Sequence, residues 1–142
     1  MTVEERIKAI AGTMGITYVF DNWSTANVKL DNVEFPVLLN VLPASGRFVV
    51  GKARLADAPN CMFAFLDKTE FDFDGTNNDA IIERCKDISK KFIKAINESG
   101  QFEQIEGDVP YSVVYDKLDV NVTGIVIEMQ VKELAGTQIC KL

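Results

Sequence analysis

The sequence predicts an α+β domain: a mainly antiparallel β-sheet packed against one long helix, with a short helix at the N-terminus. Three observations carry this expectation. Between Asn77 and Gly100, residues Ile81, Cys85, Ile88, Phe92 and Ile96 recur at steps of three and four and line one helical face. Phe35–Leu42 is the most apolar run of the chain, as in a strand buried on both faces. In Val120–Leu134, Ile125, Ile127, Met129 and Val131 alternate with Val126, Glu128, Gln130 and Lys132, the period of a strand.

The chain opens on a capping box, in which Thr2 caps a helix and Glu5 reaches back to it. Val3, Ile7, Ile10, Ala11 and Met14 follow at helical spacing, and Gly15 is the natural stop. Such an amphipathic helix ordinarily closes a core, and its alternative use is contact with another subunit. Ile16–Phe20 reads as a strand. The polar stretch around Trp23 reads as a turn, with an extended segment resuming over Asn27–Leu30. Pro36 enters the central apolar strand where a missing N–H is tolerated. Arg47–Gly51 and Cys61–Leu66 are expected to pair across a long loop, Lys52–Asn60, that projects from the sheet.

The long helix is expected over Asn78–Ser99. Thr76, Asn77 and Asn78 offer caps, Asp79 and the later lysines suit the helix dipole, and Gly100 suits a left-handed stop. Ile82, Ile93 and Ala95 widen its apolar stripe, as expected of a helix lying on a sheet. After it, Phe102–Ile105 and Val109–Tyr115 read as short strands, and Gly124 marks a bulge or bend in the last one. No repeat or linker divides residues 1–142, so the whole is read as one domain.

Composition excludes several classes. With 47% hydrophobic and 25% charged residues the chain is an ordinary globular one. A net charge of −6 argues against sequence-specific or non-specific nucleic-acid binding, which uses a basic footprint. No apolar run reaches the ~20 residues of a membrane-spanning helix. The N-terminus lacks the basic and apolar regions of a signal peptide. Cys61, Cys85 and Cys140 are odd in number and widely spaced, and read as reduced structural thiols of a protein folded in the cytoplasm. There is no histidine, so Ser-His and Cys-His pairs and the usual neutral-pH base are missing. No phosphate-cradling glycine loop occurs. The expectation is a non-enzymatic chain with no cofactor.

Three features are candidates for function. Glu70, Asp72, Asp74 and Gly75 match early positions of a calcium loop, but Ile81 stands where its bidentate Glu belongs. No metal site is expected there, and the carboxylates read as a solvated strand face. Lys86, Lys90, Lys91 and Lys94 line the polar face of the long helix, either as a solvated face or as a contact for an acidic neighbour. Trp23 is either an anchor of the sheet or an interface residue. Together Lys86, Lys90, Lys91, Lys94, Glu70, Asp72, Asp74 and Trp23 form the candidate interface set. Glu106 and Asp108 are further acidic candidates.

The order of landmarks resembles a known class. The amphipathic start, Phe20-Asp21, Phe35-Pro36-Val37-Leu38-Leu39, Phe65-Leu66-Asp67, Phe92-Ile93, Ser99-Gly100-Gln101-Phe102, Tyr115-Asp116 and Val122-Thr123-Gly124 span most of the chain. The sequence is similar to small neck or tail-completion virion proteins of phages and prophages of Bacteroides-type bacteria, and its element order is similar to that of tail terminators. That resemblance implies a ring, often a hexamer, that caps the tail tube and joins it to the head. Its partners would be itself and other tail or neck proteins. It implies assembly in the bacterial cytoplasm and a final place in the virion. The alternative is a stand-alone bacterial ligand- or protein-binding module.

Overall fold

The computed structural model describes residues 2–30, 33–43, 45–68, 75–117 and 122–134. The architecture is α+β. The elements, in chain order, are α1 (Val3–Met14), β1 (Thr17–Asp21), α2 (Trp23–Lys29), β2 (Val37–Val41), β3 (Gly46–Val50), β4 (Leu55–Lys68), α3 (Gly75–Glu98), β5 (Tyr111–Lys117) and β6 (Val122–Gln130). Six strands form a sheet in the order β1-β2-β4-β6-β5, with β3 joined to β4. Every pairing is antiparallel except β1 with β2, where the connection passes through α2.

One face of the sheet meets α1 and α3. Leu38, Phe63, Phe65, Ile125 and Ile127 point into a core with Ile7, Ile81, Cys85, Phe92 and Ile96. Phe92 is fully buried, its ring meeting those of Phe63 and Phe65 edge-on at 5.0 and 5.5 Å. The predicted apolar stripe is therefore the face that seats α3. The opposite face of the sheet is covered by α2 and the chain after it: Val37, Leu39, Ala64, Leu66, Val122 and Val126 pack with Ala26, Leu30, Val33 and Phe35. Two covered faces explain why β2 is buried at every position.

The predicted caps at both ends of α1 form. Thr2 and Glu5 exchange their two bonds, and Gly15 closes the helix at φ 70°. Gly100 likewise ends the α3 region at φ 69°. The helix itself begins at Gly75, ahead of the expected caps Thr76, Asn77 and Asn78.

Four expectations are corrected. Asn27–Leu30 is not extended but belongs to the end of α2. The Asn22 side chain accepts from Thr25 N at 2.8 Å, and Ala26 and Leu30, four apart, bury against the sheet. At seven residues the helix is too short for its period to stand out. The second correction concerns β3, which pairs with Leu55–Pro59 rather than with Cys61–Leu66. The expected loop Lys52–Asn60 is instead a tight turn, closed by Gly51 N donating to Arg54 O at 2.8 Å, followed by the first half of β4. Ala56 and Ala58 looked like loop residues, yet both are buried in that strand, where their size suits a covered position. β2 and β3 thus lie end to end along β4.

Third, the strand expected at Phe102–Ile105 reduces to one bridge, Phe102 with Glu133. Fourth, β6 stops at Gln130, short of the expected Leu134, and it is buried on both faces from Val122 to Ile127 before Glu128 emerges. The irregularity expected at Gly124 lies in its neighbour: the register of β5 shifts between Val114, opposite Gly124, and Lys117. Gly124 is required for a different reason. A Cβ there would run into the Phe65 carbonyl of β4.

Candidate functional site

A groove of about 610 Å³ lies on the α2 face of the sheet. Its floor is Met62 of β4, with Glu128 and Gln130 of β6 beside it. Trp23, Val41 and Pro43 form one wall, and Pro110 lies opposite. Asn22 caps α2 and so fixes Trp23, the first helical residue, at the rim. Trp23 is half-buried and packs on the second core, the contact expected of an anchor of the sheet. A short polar chain lines the far end: Gln130 Nε2 donates to Asn60 Oδ1 at 3.0 Å, and Asn60 Nδ2 donates to Ser45 Oγ at 3.0 Å. The groove lies in the size range of pockets that take a small ligand or a few side chains of a partner.

A smaller pocket borders the start of α1 and is lined by Glu4, Asn40, Asp57 and Cys61. Asn40, 2% exposed, donates to the Tyr18 hydroxyl at 3.1 Å, and that hydroxyl donates to Glu4 at 2.9 Å. Burial, reinforced by the Glu4 carboxylate, pushes the Tyr18 phenol above its ordinary range. Burial and the nearby Glu133 carboxylate hold Asp57 above the usual carboxylate range.

The thiols lie in the core. Burial, with Asp57 adding to it, pushes Cys61 up to about 12, and burial with Asp67 does the same for Cys85. Both are therefore protonated at neutral pH and unsuited to attack as thiolates. Cys140 lies outside the described residues.

The candidate interface set is dispersed. Lys90, Lys91 and Lys94 are exposed on α3, as expected. Lys94 is 3.8 Å from Glu98. Lys86 is more engaged: its ammonium sits 5.1 Å above the Tyr111 ring and 3.4 Å from Glu83. The Tyr111 hydroxyl and then Glu83 hold that ammonium above the usual lysine range. Glu106 and Asp108 are exposed in the segment that leads into β5. Glu70, Asp72 and Asp74 lie outside the described residues. Among the described residues no cluster of His, Cys, Asp or Glu could hold a metal, and no helix is long and apolar enough to cross a membrane.

The sequence reading missed the exposed apolar side chains. Among the described residues, all of the large ones except Leu42 and Leu134 lie on two strands: Phe48 and Val50 on β3, and Tyr111, Val113 and Tyr115 on β5. Among the described residues nothing pairs with the outer edge of either strand. The alternation Tyr-Ser-Val-Val-Tyr was a readable sign of an apolar stripe. That this strand lies at an edge was not readable, because position in the sheet depends on distant pairings.

Comparison with protein-family models, with curated proteins and with solved structures finds no match to this chain.

Proposed function

We propose that the chain is a structural subunit of a phage or prophage particle, a tail-completion protein that assembles as a ring at the tail end or head–tail junction. The observation that carries this reading is the placement of the exposed apolar residues. Among the described residues they are concentrated on two strands, β3 beside β4 and β5 beside β6, whose outer edges pair with nothing, and Phe48 stands 73% exposed. Surface strands in a protein that acts alone are usually blunted, because a bare edge invites pairing with another chain. An acidic chain also suits a conduit for DNA, since negative walls repel phosphates and keep a passing genome from sticking. The resemblance of the sequence to neck and tail-completion proteins supports the same reading.

The groove at Trp23 favours a second reading, a module that binds a ligand or peptide. Co-sedimentation with assembled phage tail tubes separates the two. The ring reading expects the chain to pellet with the tubes at a low, saturating ratio, because only tube ends bind. A chain that stays in the supernatant with intact tubes contradicts it.

A further inference from the structure

The outer edges of β3 and β5, bare among the described residues, match each other in four respects, the first three of which follow together from the run of four antiparallel strands. The first is backbone parity. Gly51 N donates to Arg54 O, and Asn60 N donates to Ser45 O, so the odd positions of β3 turn their polar groups toward β4. Those of Phe48 and Val50 therefore face outward. On β5, Glu128 N donates to Pro110 O, so the polar groups of Tyr111 and Val113 also face outward.

The second is the side-chain face. Phe48 stands opposite Asp57 on β4, the side of the sheet that carries Cys61, Phe63 and α3. Tyr111 and Val113 stand opposite Ile127 and Ile125, which point to that same side. The third is direction. β3 runs against β4, β4 against β6, and β6 against β5. In copies related by rotation about an axis along the strands, β3 of one therefore meets β5 of the next antiparallel. β1 leaves this edge free, because its pairing with β2 stops at Asp21 opposite Val41.

The fourth is composition. Setting Phe48 opposite Val113 puts Val50 opposite Tyr111, so a large residue meets a smaller one at both rungs, ahead of the register shift that follows Val114. It also brings the exposed Lys52 of the β3–β4 turn beside Val109 and the exposed Asp108. Arg47 is not part of this match, since it already faces Glu106 and Asp108 of its own chain across a shallow trough.

We infer that β3 of one copy adds antiparallel to β5 of the next, with Phe48 opposite Val113, so that the sheet continues from subunit to subunit with all α3 helices on one side. This names the interface of the ring proposed above and rests on that reading only for its setting. The contact is heterologous, so it repeats around a ring rather than stopping at a pair.

The test is self-association of the full chain by sedimentation velocity, with Phe48→Lys blocking one edge and Val113→Lys the other. Tyr111→Lys replaces Val113→Lys if that variant melts early. The wild type is expected to assemble as concentration rises. Each variant should stay monomeric where the wild type assembles. An equimolar mixture should form a 1:1 dimer and nothing larger, because one intact interface remains between unlike variants. Assembly of either variant alone to the size of the wild type overturns the inference, as does a wild type that is monomeric up to about 1 mM. Tube binding by a wild type that fails this test leaves the tail-end reading standing without this interface. Edge-dependent assembly without tube binding does the reverse.

Discussion

Phe92 shows how much a single residue contributes to holding this fold. Its ring closes the space between α3 and the two phenylalanines of β4, and no part of it reaches solvent. Phe92→Ala removes that ring from a site whose walls are a sheet and a long helix and collapse poorly. It should cost about 3–5 kcal/mol in denaturant unfolding. A loss below about 1 kcal/mol would place another residue at the centre of the core. At this scale the sequence was informative wherever burial was periodic. Ile81, Cys85, Phe92 and Ile96 were legible because a helix repeats its inward face every three or four residues. Trp23 was not, since a lone aromatic among polar residues carries no period.

At the scale of elements, the strands show the clearest division between what sequence could and could not reveal. Apolar runs located β1, β2, β5 and β6 to within a few residues; for β1, β2 and β6 the reason is that a strand buried on one or both faces must be apolar there, while β5 carries its apolar residues exposed. Partners were harder. β3 pairs with the part of β4 that reads as a loop, since Ala56, Ala58 and Pro59 have weak strand preference and gain their place from covering neighbours. α2 was missed for a related reason: its cap and two buried residues are too few to outweigh turn-forming neighbours. Gly124 of β6 lies directly against the Phe65 backbone of β4. Gly124→Ala presses a methyl group into the Phe65 backbone, which cannot move aside as a side chain can. Thermal and denaturant melts should show a loss of at least about 3 kcal/mol, at the severe end for added core volume. A variant as stable as the wild type would mean that the two strands stand further apart.

For the whole molecule, the fold class was legible and the working surface only partly so. The lysine face of α3 was visible because charge at four-residue spacing is a local pattern. The two apolar edges were not, because whether a strand lies at an edge is decided by the pairings of the entire chain. The central claim is that those edges join copies head to tail until the ring closes. Native mass spectrometry of the assembled protein tests it most directly. A closing heterologous interface predicts one dominant species, a fixed multiple of the chain mass above two copies, with few intermediates. A spectrum that stops at a dimer, or that runs as an open ladder with no preferred size, would contradict the account.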